Sequence, residues 1–442
     1  MVSEASGLAD RLTCSLTVML YAILTNRTYE YVWYGHHVLW ESLSSPYIDW
    51  RSPPRDQHEG TQLVRDANGT VLPHVTENYW WSKPGRTELL ARKYVDPSNA
   101  TAKEEVRQLF AEVDLMSYGK EYDTVIWTSN NGLLRWMVQN PFLAPRLTEM
   151  NLTMNNAVRC LFNFAYTPSP AALAPFRQGD LLDKLLDPNN FVIGIQMRLG
   201  DHIFKQDTGH IAEGHRSYRP DAFIGEPYFA CALELTAQLE ALPEFGGKPS
   251  RSWGDYLSSL VLSASGFRLP WFGRRSSSGS NRPRSERAGE AEAQAGGSSS
   301  AAGGPRNASV DQSGSAPPPP RKVYWFLVSD SAAVRKAARE RFGGSGRLLV
   351  AEDLPLDHVN DYSRNGQVGL HVAAGELWLF GLAHIHIITP TSTYGRLGAM
   401  AGLNQPNKMY SMFDHKRRRC LLTKPDRMEE VATWSTGVRR RG

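Results

Sequence analysis

The chain has 442 residues, enough for two domains. Its 41% apolar and 10% aromatic content can build cores, which excludes a wholly disordered or collagen-like protein. The formal net charge of +4 is concentrated in two places. Residues 273–320 hold six Arg against three Glu and one Asp, and 415–442 hold nine Lys and Arg against three acids, so the remainder is mildly acidic and the basicity makes no case for a nucleic-acid partner.

In chain order, Gly7 reads as a turn entering a helix over 11–24. A strand precedes such a turn in a parallel sheet, yet only six residues do so here, so a first strand, and with it any membrane anchor or signal, is expected upstream. The apolar stretch 12–24 contains Thr13, Cys14, Ser15 and Thr17 and lacks a basic flank, which makes it a poor signal peptide. No run of 18 apolar residues exists. Strands are expected at 29–33 and 124–127. FVIGIQM (191–197) reads as a strand buried on both faces, followed by a helix over 228–241. Residues 242–320 read as an insertion. Its part 273–320 is Ser, Gly, Ala, Arg and Pro, too poor in apolar residues to offset ordering entropy, and is expected to be disordered. VYWFLV (323–328) is a second buried strand, followed by a helix over 332–341 with Ser331 as N-cap. A strand at 347–351, a helix over 366–383, a strand at 384–389 (HIHIIT) and a small-residue helix over 392–402 complete the pattern. Strand–helix alternation of this kind predicts an α/β fold with a parallel, doubly wound sheet.

Four cysteines, Cys14, Cys160, Cys231 and Cys420, include no Cys-x-x-Cys unit, so a zinc knuckle or thioredoxin-type site is disfavoured. They allow three disulfide pairings or buried thiols. Sequons at Asn26, Asn68, Asn99, Asn151 and Asn307 lean toward a secretory lumen.

Ligands of open parallel sheets bind at the carboxyl ends of strands. After FVIGIQM come Arg198, Leu199, Gly200 and Asp201; after VYWFLV come Ser329, Asp330 and Ser331; after HIHIIT come Pro390, Thr391, Ser392 and Thr393. One edge would thus hold a guanidinium, a carboxylate and a hydroxyl-rich helix N-terminus, the outline of a nucleotide-diphosphate site. Each has a structural reading too: a surface or ion-pair Arg, and two helix caps. There is no Walker A motif, no Gly-x-Gly-x-x-Gly, no His-Glu-x-x-His and no Asp-x-Asp, which disfavours a P-loop kinase, a dinucleotide oxidoreductase and a metal-held diphosphate. His384 and His386 share one strand face and read as structural, and His36–His37 is no stronger as a ligand pair.

SGLADRL (6–12) followed by LYAILTNRT (20–28), VIGIQMRLGD (192–201), and GELWLFGLAHIHIITPTSTYGRLGAMAGL (375–403) resemble three blocks of fucosyltransferases, in order. The likeness is greatest to plant xyloglucan-type α-1,2-fucosyltransferases, with Gln196 where many relatives have His and Tyr394 where Phe is usual. The resemblance implies a GT-B fold of two facing Rossmann-like domains: residues 1–187 on the acceptor side, lacking a first strand, and 188–404 holding the donor, with 242–320 inserted and 405–442 a basic tail. It implies metal-independent transfer of fucose from GDP-fucose with inversion, and no cofactor. Arg198 would grip the β-phosphate, and Thr391, Ser392 and Thr393 would cap the diphosphate. Ser329, Asp330 and Glu376 would contact the nucleoside, with Gly7 and Arg11 lining the cleft. Asp201 could act as base or merely pair with Arg198. The implied partners are a glycan or glycoprotein acceptor and no nucleic acid, with a homodimer admissible and a Golgi lumenal, type II setting. A transferase using another nucleotide sugar, or a non-catalytic GDP-sugar-binding protein, are the competing readings.

Overall fold

The computed structural model describes residues 2–3, 7–33, 37–51, 64–65, 71–72, 87–91, 100–120, 124–129, 132–177, 179–199, 223, 225–246, 320–355, 366–389, 392–403, 408–411 and 421–422. Of the stretch 273–320 expected to be disordered, all but Pro320 lies outside the described residues, as does most of the basic tail.

The chain divides into two units, Met1–Glu240 with Arg321–Gly442, and Ala241–Pro320. The described part of the second is a 3-10 turn, Pro243–Phe245, closed by Gly246 at φ 89°.

The first unit begins with β1 (Val2–Ser3), α1 (Leu8–Leu24), α2 (Leu39–Ser42), β2 (Leu43–Ser44), β3 (Val64–Arg65), β4 (Val71–Leu72), β5 (Thr87–Ala91), α3 (Ala100–Glu112) and β6 (Thr124–Ser129). It continues through α4 (Leu134–Gln139), α5 (Ala144–Glu149), α6 (Ala157–Ala165), β7 (Thr167–Pro168), α7 (Pro170–Leu173) and α8 (Leu181–Leu186). Then come β8 (Asn190–Met197), α9 (Glu226–Glu240), β9 (Lys322–Ser329), α10 (Ala332–Phe342), β10 (Leu348–Leu349), α11 (Gly366–Gly381), β11 (Ile385–Ile388), α12 (Thr393–Ala401), β12 (Lys408–Ser411) and β13 (Leu421–Leu422).

Two sequence expectations change. A strand does precede Gly7 in this chain, because Val2–Ser3 pairs in parallel with Thr128–Ser129 of β6. The strand expected at 29–33 is reduced to isolated bridge residues, Tyr31 and Val32, of which Tyr31 pairs with Arg51. Its aromatic residues are buried by packing, Tyr31 against Trp33 and Trp50, without forming a ladder.

The small sheet has the order β1-β6-β5 and is parallel. The large sheet has the order β10-β9-β8-β11-β12-β13, parallel except for the last pair. Numbered by appearance, its parallel strands run 3-2-1-4-5, a doubly wound order whose direction reverses between β8 and β11. The continuous apolar runs read in the sequence are explained by this position: β8 and β9 are buried along nearly their whole length.

Helix α1 lies between the small sheet and the helices of the large one, touching β1 and β6 as well as α6 and α12. Fifteen of its 17 residues are buried, so it has no polar face. Its hydroxyls are satisfied along the helix itself. Thr13 Oγ1 donates to Ala9 O at 2.6 Å, Ser15 Oγ to Leu12 O at 2.6 Å, and Thr17 Oγ1 to Thr13 O at 3.2 Å while accepting from Leu133 N. Helix α11 is buried over much of its length, with Val368 exposed near its start, and lets α7 approach through Gly375, where a Cβ would stand 2.2 Å from Ala172 O. Among the described residues, no helix is long and apolar enough to cross a membrane. Cys14 and Cys160 carry free thiols and Cys231 is in a disulfide, while Cys420 lies outside the described residues.

The two strand histidines are structural. His386 Nε2 lies 2.8 Å from Phe380 O, and His384 Nδ1 accepts from Val192 N at 3.1 Å. Burial, with the charges of Arg321 and His386, lowers the His384 pKa from 6.5 to about 4. Between those values the unfolded chain binds the proton more readily than the fold does. The stability from this neutral ring is complete above pH 6.5 and is lost as pH falls toward 4. Urea unfolding at pH 7 and pH 4.5 should show that loss, and the pH slope should be shallower in His384→Gln. An unchanged slope would remove His384 from this role.

Candidate anion site at the sheet switch point

In the β8–β9 ladder Met197 stands opposite Ser329, so Arg198 and Asp330 are the next residues on adjacent parallel strands. They meet as the register requires. Arg198 Nη1 lies 3.2 Å from Asp330 Oδ2, and Asp330 also accepts from Leu199 N at 2.9 and 3.1 Å. The carboxylate is almost wholly covered (6% exposed), whereas the Arg198 side chain keeps 31% of its surface in solvent. A buried carboxylate thus holds a guanidinium that reaches outward.

On the other side of β8, Thr389 follows β11 and gathers three partners. Its Oγ1 accepts from Arg198 N at 2.9 Å, lies 3.0 Å from Tyr228 Oη, and is 3.3 Å from Gln196 O. Tyr228, on the first turn of α9, has its pKa raised by burial, and the Asp330 charge adds to this. The phenol therefore stays protonated.

Three residues later α12 begins. Ser392 is its N-cap, accepting from Gly395 N at 3.1 Å. That leaves the N–H groups of Thr393 and Tyr394 in the first turn without intrahelical acceptors, with the positive end of the helix dipole behind them. The turn sits close over β8 because residue 395 is glycine: a Cβ there would stand 2.4 Å from Gln196 Oε1. Tyr394 pins the turn to α11 by donating to Ala373 O at 2.6 Å. Burial, reinforced by the Glu376 charge, raises its pKa well above the ordinary value, so it stays protonated.

The structure revises the expected role of Glu376. It is buried, and both its oxygens are taken by Arg335, at 2.6 Å (Nη1–Oε1) and 2.9 Å (Nη2–Oε2). Its carboxylate therefore faces Arg335 and does not line the strand edge. Burial raises its pKa while the Arg335 charge opposes that rise. Arg335 also donates from Nε to Ser329 O at 3.0 Å, from Nη2 to the same oxygen, and from Nη1 to Ala351 O at 2.9 Å. It ties the ends of β9 and β10 to α11. Ser329 likewise turns inward: it is 3% exposed and its Oγ accepts from Ser331 N. Asp330 is committed to Arg198 and the Leu199 amide.

Gly7 is the N-cap of α1 in extended conformation. Arg11 is 1% exposed, with its guanidinium carbon 4.4 Å from the Trp33 ring centroid. Burial lowers its pKa to about 10, against the raising effect of Tyr31 and Asp10. Asp201 and Thr391 lie outside the described residues. The structure therefore brings Arg198, Asp330, Ser392 and Thr393 to one edge. It adds Thr389 and Tyr228, which the sequence reading took for a strand end and a helix start, and Arg335, which the polar pattern of α10 gave no reason to bury.

No family model and no curated protein matches the chain. Solved structures similar to it include fucosyltransferases. A mutant of Arabidopsis thaliana FUT1 in complex with GDP is 14% identical, with 95% of this chain and 72% of that one covered at a TM-score of 0.49. NodZ α-1,6-fucosyltransferase soaked with GDP-fucose is 14% identical, with 96% and 97% covered at a TM-score of 0.38. NodZ from Bradyrhizobium gives 14% identity, 96% of each chain covered and a TM-score of 0.38.

The buried ion pair is open to test. Glu376→Gln leaves Arg335 charged and without its counter-ion, and should cost about 3–5 kcal/mol. The double variant Arg335→Met, Glu376→Leu should cost less than either single change, because no buried charge is then stranded. Denaturant midpoints of Arg335→Met, Glu376→Leu and the double variant measure this, and additive losses would contradict the pairing.

Proposed function

We propose that this chain transfers fucose from GDP-fucose to a hydroxyl of a cell-wall or glycoprotein glycan, inverting the sugar C1 without a metal. The observation that carries the reading is the pairing of the Arg198 amide, after β8, with Thr389, after β11 and three residues before the N-cap of α12, at the point where the strand order reverses. A partly exposed guanidinium and the first-turn amides of a helix are the donor types that an anion takes. The three sequence blocks resembling fucosyltransferases fall on α1, on the end of β8, and on α11 through α12. We assign the two parallel sheets to the two facing domains of a GT-B arrangement, and the setting to the Golgi lumen.

In this mechanism negative charge grows on the departing diphosphate as the C1–O bond breaks, and the acceptor oxygen attacks from the opposite face. Fixed donors act where that charge appears. Arg198 contacts the leaving phosphate, with its orientation set by Asp330. The Thr393 and Tyr394 amides take the remaining charge, and Ser392 keeps their helix turn in place. Asp201 is the candidate base.

A second reading, a transferase using another nucleotide sugar, rests on a specific observation. Asp330 and Glu376, the two carboxylates expected to read the nucleoside, are both engaged by arginines.

Thermal-shift titration with GDP, UDP, CDP and GDP-fucose separates the readings. Guanine nucleotides should stabilise the protein and the others should not, while stabilisation by UDP alone would favour the second reading. In a GDP-release assay with glycan acceptors, Arg198→Ala should lose at least about a hundredfold in rate, roughly 3 kcal/mol of transition-state stabilisation. Near-wild-type turnover would sink the assignment.

A further inference from the structure

We infer that residues 40–51 form a binding site for a neutral sugar ring, set apart from the anion site. Resting on the transferase reading above, we assign it to a distal unit of an oligomeric glycan acceptor. The segment lines an open cleft of about 410 Å³ whose walls include Trp40, Ser45, Tyr47, Asp49, Trp50 and Arg51. That volume lies within the range of small-molecule sites.

The wall chemistry is that of a pyranose, flat and C–H-bearing on its faces and hydroxylated around its rim. Tyr47 is 69% exposed, a high value for an aromatic, yet its ring does not swing freely. It stacks on Phe164, with centroids 5.5 Å apart and planes 4° from parallel. Ser45 Oγ staples the turn beneath it, donating to Phe164 O at 2.6 Å and accepting from Tyr47 N at 3.1 Å and Ile48 N at 3.3 Å. Behind it Trp50 is fixed by Nε1 donating to Ala165 O at 2.8 Å. A held aromatic face, electron-rich at its centre, suits the polarised C–H groups of a sugar and loses little entropy on binding.

Asp49 and Arg51 supply the rim. They pair through Nε–Oδ1 and Nη2–Oδ2, both at 2.7 Å, and each side chain is more than half exposed. A guanidinium has five N–H donors and a carboxylate about four acceptor positions, so the pair keeps capacity of both kinds for hydroxyls. The two charges cancel locally, which favours a neutral ligand over a phosphate.

The position of the site decides which part of an acceptor it serves. Phe164 follows Asn163, whose Nδ2 donates to Ala401 O at the end of α12. Ser392 caps the opposite end of this nine-residue helix. The cleft and the anion site are thus linked to opposite ends of α12. We therefore assign to it a ring further along the acceptor chain and not the reacting sugar.

The test uses the whole chain with cellotetraose, mannotetraose, chitotetraose and glucose as probes. Binding is read by saturation-transfer NMR, and GDP affinity is measured separately. The wild type should bind at least one tetrasaccharide. Tyr47→Ala, and Asp49→Asn combined with Arg51→Gln, should each weaken that binding at least tenfold, with GDP affinity and far-UV circular dichroism unchanged. Tyr47→Phe should retain it. In transfer assays, Tyr47→Ala should raise KM for long acceptors while leaving kcat, and the KM for a single-sugar acceptor, alone. Absence of tetrasaccharide binding by the wild type, or binding unaffected by the variants, would overturn the site. Failure of GDP to bind would instead remove the transferase reading and leave the oligosaccharide result to stand by itself.

Discussion

The edge of the large sheet is organised by one buried ion pair. Arg335 and Glu376 lie 41 positions apart in the chain and are both nearly inaccessible to water. Burying two charges is costly and is repaid only when geometry and additional hydrogen bonds are good. Here the fork is bidentate, and the remaining guanidinium donors reach the carbonyls of Ser329 and Ala351. The ends of β9 and β10 are thereby fixed to α11. Asp330 is the residue after Ser329, so fixing that carbonyl also fixes the carboxylate that orients Arg198. The exposed cation at the rim is thus the last member of a series that starts in the interior.

A second series reaches the same rim from the other side. Tyr394 is held by the Ala373 carbonyl of α11, and Ser392 by the first turn of α12. Thr389 joins β11 to the Arg198 amide. Both series are anchored on α11, the helix that carries Glu376. The rigidity of the anion site therefore derives from one helix, which has almost no solvent-facing surface over much of its length.

Most of the large sheet was legible in the sequence because its strands are enclosed on both faces, so their apolar runs are unbroken. The caps at Ser331 and Ser392 were legible for a local reason: a hydroxyl just before a helical stretch bonds the amide three residues on. What could not be read was pairing. Arg335 sits in AAVRKAARERF, a segment whose composition marks a solvated helix, and its burial depends on a partner far along the chain. Asp330 was recognised as a polar residue at the right edge, and Glu376 only through the resemblance, but a linear pattern cannot show whether a carboxylate meets a ligand or an arginine. The aromatic run at 29–33 signalled burial correctly and ladder pairing incorrectly, because apolar character reports enclosure and not the presence of a neighbouring strand.

The strand order has a consequence for how this site comes into being. Both ladder partners of β8 are remote in sequence, since β9 begins at Lys322 and β11 at Ile385. The strand that bears Arg198 has no hairpin neighbour to zip against, so its edge forms only when two long loops have closed. Such non-local assembly is slow. It is also tolerant of length. Residues 241–320 lengthen the β8–β9 connection from 44 to 124 residues, less than two doublings. At about 0.6 kcal/mol per doubling, that adds roughly 1 kcal/mol of closure entropy. Once the chain had accepted a central strand with distant partners, a long addition in that connection was thermodynamically a small matter.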